Sequence, residues 1–396
     1  MGVLMIRYVR RRTGALLLLL LAAAACDSPT GPREPLPIPL QADDGWQTAS
    51  VESVGLAPEP LQALVALVDK TAEHLIHGIL VVKDDKLAFE EYWPGEDMKD
   101  VSLTPVHRYF NHGTPHYVAS VSKSITSALV GIALDRGLIG SVDDSLFSYF
   151  PDYADLRTAD NEGVTLRHLL AFSSGFDWNE HVYGFDDPRD SHYQMFATDD
   201  PVRMLLSRPM VRQPGAAFHY NSGDTNLLGE IVRRTSGAET LVDFADEVLF
   251  GPLDIVDYRW SRFPLAPDVT FASGGAYLRP RDMAKLGALY LNGGVWNDRQ
   301  VVPRAWVEAS IAESTYFQGT YRSVYAYGFN WWLGRSAFRD TTVTYFRASG
   351  WGGQEVFVYP ELDMVIVFTA GAYYDDSPLD MYDLIEDFIL QAVRDH

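Results

Sequence analysis

The chain has 396 residues, 47% of them hydrophobic and 13% aromatic, which is enough to bury the core of one large domain or two moderate ones and excludes global disorder. Lys and Arg number 32 against 53 Asp and Glu, a formal charge of −21. That balance excludes nucleic acid as a partner and is read as a solvated acidic surface.

Arg7, Arg10, Arg11 and Arg12 precede an apolar run from Ala15 to Leu21 and then Ala22-Ala23-Ala24-Ala25-Cys26, the layout of a secretory signal over residues 1–25. The run is too short to span a bilayer, and no later stretch approaches about 18 uninterrupted apolar residues, so no transmembrane helix is expected in the mature chain. Cys26 is the only cysteine, which excludes an intrachain disulfide. It stands where a bacterial lipoprotein carries its lipidated first residue; the alternative is cleavage at an Ala-x-Ala site beside an incidental cysteine. An exported periplasmic or cell-envelope lipoprotein is expected, touching the membrane through that anchor alone. Residues 26–45, with Pro29, Pro32, Pro35, Pro37 and Pro39, read as an extended tether, and residues 46–396 as the folded domain.

Leu61, Leu64, Val65 and Val68 recur at helical spacing, predicting a helix over Glu59 to Leu75. Ile79 to Val82, the polar turn Lys83-Asp84-Asp85-Lys86, and Leu87 to Tyr92 then predict a β-hairpin. From about residue 120 to 291 helical patterns broken by Gly and Pro dominate. Strand patterns return at Tyr327 to Leu333, Gln354 to Tyr359 and Met364 to Thr369, with Pro360 to Asp363 as a hairpin turn. A terminal helix carrying Leu384, Ile385, Phe388, Ile389 and Ala392 on one face should pack on a sheet built from the early and late strands.

Ser120-Val121-Ser122-Lys123 opens a helical pattern in which Val121, Ile125, Leu129 and Ile132 are apolar and which Gly137 ends. Residues three apart share a helix face, so the Lys123 amine reaches the Ser120 hydroxyl, and the helix dipole sits beside a developing oxyanion. Burial and the dipole both lower the lysine pKa. A neutral lysine takes the serine proton directly; a charged one instead stabilises a tyrosinate that does so. Alone, Ser-x-x-Lys is most often a polar helix start. Of six lysines, however, only Lys123 has serine three positions before it. Two further segments are singled out: the Pro214-Gly215 turn leading to Tyr220-Asn221-Ser222-Gly223 before a helix over Asn226 to Arg234, and Ser349-Gly350-Trp351-Gly352-Gly353-Gln354 before a strand. Taken singly, a core tyrosine and a plain hairpin turn are their ordinary explanations.

In this order the three segments resemble the β-lactamase-related serine hydrolase superfamily. The Tyr220 segment resembles the Tyr-x-Asn region of class C β-lactamases, with Ser222 in place of asparagine as in relatives of 6-aminohexanoate-dimer hydrolase. Trp351-Gly352-Gly353 is similar to the Trp-Gly-Gly of esterases on that fold. Thr165 to Leu170 with Ser173 to Trp178, and Arg279 to Gly287, look like further family signatures and are read as structural. The resemblance runs from about Trp46 to the C-terminus. It implies an α/β fold (an α+β sandwich of the β-lactamase/transpeptidase type), with an antiparallel sheet from the N- and C-terminal segments flanked by helices and a mostly helical subdomain inserted at about residues 124–291. It also implies Ser120 as nucleophile, Lys123 as its partner, Tyr220 as proton shuttle, Ser222 as a substrate contact, and the Gln354 amide with that of Ser120 as oxyanion donors, glycines 352 and 353 letting backbone approach the substrate. No cofactor or metal is implied.

Penicillin-recognising members attract the substrate carboxylate with the lysine of Lys-Thr-Gly, and Trp351 is neutral. Arg347 could replace it, although an exposed strand arginine is the favoured reading. The expected function is therefore acyl-enzyme hydrolysis of small esters or amides, short carboxylic esters first. The alternatives are a β-lactamase or D-alanyl-D-alanine carboxypeptidase, or a non-catalytic penicillin-binding-like module. An α/β-hydrolase is disfavoured because no Gly-x-Ser-x-Gly elbow occurs. A metal site from His107, His112 and His116 is disfavoured because Gly113 and Pro115 prevent the helix it would need, leaving surface or loop histidines.

Overall fold

A computed structural model describes residues 35–98, 104–180, 182–184, 186–312, 314–321 and 324–394. The secretory segment, Cys26 and the first part of the proline-rich tether lie outside the described residues. Among the described residues no helix is long and apolar enough to cross a membrane.

The central sheet is built from β1 (Gln47–Thr48), β2 (Ile76–Lys83), β3 (Lys86–Tyr92), β4 (Thr315–Tyr321), β5 (Val324–Tyr327), β6 (Trp332–Phe338), β7 (Thr341–Gly350), β8 (Gln354–Tyr359) and β9 (Met364–Ala370). Its spatial order is β1-β3-β2-β9-β8-β7-β6-β5-β4, so early and late segments meet where β9 pairs antiparallel with β2. All neighbours are antiparallel except β1 with β3. The central strands are apolar at nearly every position because both faces are covered. Leu80, Val82, Val365 and Val367 point into one core, while Ile79, Val81, Ile366 and Phe368 point into the other.

Four helices matter for the site. Helix α1 (Pro58–Lys70) and the C-terminal segment cover the second face. Helices α2 (Val121–Asp135), α3 (Ser222–Ser236) and α4 (Pro280–Leu291) pack in the first core. Between β3 and β4 the chain is mostly helical, as expected, but it also contributes a small sheet of His116–Tyr117, Arg259–Trp260 and Ala276–Leu278.

The β2–β3 hairpin turns through Asp84 and Asp85, both with positive φ (52° and 58°), the geometry that matches strand twist in a two-residue loop. Helix α1 stops at Lys70 instead of running to residue 75, because Thr71 is extended and Glu73 and Leu75 take positive φ. The run Tyr327 to Leu333 is not one strand. It is broken at Gly328 to Trp331, where Asn330 has φ 62° and a side chain on Gly328 would collide with the Ser310 carbonyl. The terminal helix is regular only over Met381–Leu384 and continues irregularly to Ala392, with Leu384, Ile385, Ile389 and Ala392 buried as expected.

Candidate active site

Ser120 sits immediately before α2, following Ala119, whose φ of 45° is a strained value for a residue with a side chain. That bend is fixed on both sides. The Ser122 hydroxyl donates to the Ala119 carbonyl (2.7 Å) and accepts from the Ala276 amide (3.1 Å), and Val118 donates to the Ala276 carbonyl (3.0 Å). Lys123 projects from the first turn of α2 and is 2% exposed. Its Nζ donates to Ser120 Oγ (2.8 Å) and to the Ser273 carbonyl (2.7 Å). Burial pushes the amine down to about 8, against a smaller opposing pull from Glu180.

Tyr220 arrives from the opposite side. His219 docks its segment through N–H to the Phe172 carbonyl (2.7 Å) and Nε2 on the Trp178 carbonyl (2.6 Å). The phenol ring lies edge-on to Phe172 and stacks on Trp332 at 5.9 Å. Ser120 acts on the phenol by favouring its ionised form, and Lys123 Nζ stands 5.0 Å from the ring centroid. Burial, aided by the Glu180 charge, raises the phenol well above the usual tyrosine range. Thus Ser120, Lys123 and Tyr220, a hundred residues apart in sequence at the extremes, are brought together around the Lys123 amine.

Asn221 caps α3, its Oδ1 accepting from the amides of Gly223 (2.8 Å) and Asp224 (3.3 Å), so the helix begins at Ser222, four residues before its expected start. Ser222 lines the cleft, but its hydroxyl is engaged: it donates to Glu180 Oε1 (3.0 Å) while its amide donates to Oε2 (3.0 Å). Glu180 also accepts from Trp178 Nε1. The cleft, about 390 Å³, is walled by Ser120, Lys123, Glu180, Ser222 and the aromatic rings of Tyr117, His192, Phe196, Phe271 and Trp351.

Trp351 stands on that wall, packed edge-on to Tyr373 and Tyr374. Glycines 352 and 353 both have φ 86° and form the β7–β8 turn, with Gly352 lying directly under the Tyr373 ring. The Gln354 side chain points inward onto the Ala370 and Gly352 carbonyls, leaving only its backbone for an oxyanion role. The end of β7 does reach the Ser120 segment: Gly350 packs so closely on the Val118 carbonyl that no larger residue fits.

Two readings are corrected. Arg347 is 5% exposed, paired with Glu355 (2.6 Å) beside Phe357 and Tyr382 on the far face of the sheet, so it is neither an exposed arginine nor available to a substrate. His116 is fully buried, stacked on Phe110 at 4.4 Å; only His107 is exposed. Among the described residues no three or more His, Cys, Asp or Glu side chains gather as a metal-binding group. Sequence reasoning missed Glu180, His192, Phe196, Phe271 and Ser273. Glu180 lies two residues beyond the Ser173 to Trp178 motif, which was read as structural.

Residues 66–387 match the protein-family model described as beta-lactamase. The 6-aminohexanoate-dimer hydrolase of Paenarthrobacter ureafaciens is 26% identical over 283 residues, covering 64% of this chain; the match spans 65% of that relative's length. A Bacillus anthracis structure provisionally named a 6-aminohexanoate-dimer hydrolase superposes with TM-score 0.65 at 20% identity, covering 90% of this chain and 87% of the other. A family VIII carboxylesterase superposes with TM-score 0.63 at 18% identity, covering 84% and 98%. These two structural likenesses establish the fold.

Proposed function

From the premise that the chain belongs to the beta-lactamase family and is a hydrolase of that fold, we propose that it is a serine hydrolase cleaving small carboxylic esters, and secondarily amides, through an acyl-enzyme on Ser120. The observation that carries this reading is that the Lys123 amine lies 2.8 Å from the Ser120 hydroxyl and 5.0 Å from the centre of the Tyr220 ring, so that the three side chains meet at one place. With its pKa pushed down to about 8 by burial, Lys123 gives up its proton far more readily near neutral pH than a free lysine, while Tyr220 stays protonated. That assignment supports the amine as base and the phenol as donor. Ser120 attacks the carbonyl as its proton passes to Lys123. The phenol supplies the leaving oxygen with a proton and is reprotonated through the lysine. Water then enters by the reverse route. The aromatic rings of the cleft wall favour apolar, uncharged acyl groups, and among the described residues no Lys or Arg besides Lys123 lines it, which disfavours penicillin-type recognition of a carboxylate.

The test combines a fluorophosphonate probe, short p-nitrophenyl esters and a chromogenic cephalosporin, applied to the protein and to Ser120→Ala. Labelling is expected at Ser120 only, with ester turnover falling ~1000-fold or more in the variant. The rate of labelling should rise with pH through about 8, as the amine loses its proton. Labelling that survives the substitution places the nucleophile elsewhere, and rapid cephalosporin turnover overturns the substrate class.

A further inference from the structure

One buried amide beneath the cleft has no part in the chemistry just described. Asn226 lies one turn along α3 from Ser222 and is 3% exposed. Its Nδ2 donates to the Ser222 carbonyl (2.9 Å) and to Ser273 Oγ (3.0 Å), and its Oδ1 accepts from the Ser273 amide (3.1 Å). Because a backbone N–H can only donate, the orientation of the side-chain amide is fixed by the fold. Ser273 turns its other end to the site, where its carbonyl takes a hydrogen from Lys123 (2.7 Å). The segment is held from both helices. Thr126 Oγ1 on α2 donates to the Ala272 carbonyl (2.9 Å), and Gly229 on α3 lies so close that a Cβ there would come 2.5 Å from Ala272 Cβ.

We infer that Asn226 is a positioning residue: by clamping both the amide and the hydroxyl of Ser273, it fixes the carbonyl that directs the Lys123 amine toward Ser120. The inference rests on the reading of Ser120 and Lys123 as nucleophile and base. A neutral amine has two hydrogens and one lone pair. With one hydrogen committed to Ser273 and the nitrogen 2.8 Å from Ser120 Oγ, the lone pair can face the hydroxyl and receive its proton as the Ser120–carbonyl bond forms. Without the clamp the carbonyl is free to shift, and the amine loses its aim. Asn226 touches neither Ser120 nor Lys123, so its effect should appear in the chemical step and not in substrate binding.

Two variants test this, Asn226→Ala and Asn226→Asp, each followed by thermal melting, by kcat and KM on a short ester, and by the rate of fluorophosphonate labelling against pH. Asn226→Ala should lower kcat by ~10- to 100-fold with KM within about twofold. Asn226→Asp keeps an acceptor for the Ser273 amide but adds a buried negative charge. Lys123 is already faced by Glu180 across the cleft and by the protonated Tyr220, so the added anion should move the rising limb of the profile to higher pH, with rates above that limb exceeding those of Asn226→Ala. A folded Asn226→Ala protein with unchanged kcat and profile overturns the assignment. So does an Asp variant no better than Ala at any pH, or the failure of both to fold, since each marks a purely structural residue. Absence of labelling in the unsubstituted protein would instead sink the underlying reading of Ser120.

Discussion

Glu180 is the carboxylate whose charge bears on both Lys123 and Tyr220, raising the pKa of each. A substitution can isolate that charge. In Glu180→Gln the remaining carbonyl oxygen can occupy the Oε2 position and accept from the Ser222 amide and Trp178 Nε1, while the new NH2 donates to the Ser222 hydroxyl, which simply reverses its role. The contacts survive and the charge does not. The rising limb of the labelling rate should therefore move to lower pH, because the charged amine loses a favourable partner. A limb that stays in place or moves upward in the variant would show that Glu180 does not tune the lysine. The Ser173 to Trp178 segment lies next to this glutamate but does not single it out, because its bonds to Ser222 are made with a helix start 42 residues later. By contrast the reach of Lys123 to Ser120 was legible from their spacing, because the backbone of one helix turn carries that relation, although the motif gained meaning only beside the Tyr220 and Trp351 segments.

The same distinction between local and distant causes operates for whole elements. The β2–β3 hairpin and the β8–β9 hairpin could be read directly, since the turn residues Asp84, Asp85 and Asp363 all take the positive φ that such polar residues tolerate. Strand β7 was not read, although it runs for ten residues, because Thr341 to Gly350 alternates only partly and owes its place to pairing on both sides with β6 and β8. Helix α4 shows how the sheet constrains a helix that composition describes well. Its Gly287 faces β8 and β9, and a Cβ there would come 2.5 Å from Val365 Cγ1 and 2.8 Å from Val356 Cγ1. Gly287→Ala gains about 1 kcal/mol of helix propensity, but forcing helix and sheet apart loses ~1–3 kcal/mol, so the overpacking should win. Urea unfolding should show a lower midpoint with unchanged slope. A raised midpoint would mean that the α4–sheet contact has room to spare.

At the scale of the molecule, the boundary of the folded domain depends on a single buried guanidinium. Composition placed a free tether up to residue 45, because Pro35, Pro37 and Pro39 have no apolar periodicity around them. In the structure this stretch is fastened. Arg281 of α4, 1% exposed, donates to Asp44 Oδ2 (2.8 Å), to the Leu40 carbonyl (2.8 Å) and to both oxygens of Glu90 on β3, while its own carbonyl accepts from Trp46 Nε1 (3.1 Å). Asp44 and Arg281 are 237 residues apart, a separation at which the Arg279 to Gly287 signature names the arginine but not its partners. The arrangement ties the N-terminal segment, the sheet and the helix under the cleft into one unit. Asp44→Ala leaves the guanidinium bidentate to Glu90 and should lose ~1–3 kcal/mol. Arg281→Met strands two carboxylates in a buried space and should lose ~3–5 kcal/mol. The order matters more than either value: urea unfolding should rank Arg281→Met below Asp44→Ala, and the double substitution should be less destabilised than the sum of the two, because both remove the same pair. Strict additivity would show that the Asp44–Arg281 contact carries no coupling, and an Asp44→Ala protein as stable as the parent would show that this carboxylate does not fasten the N-terminal segment to the fold.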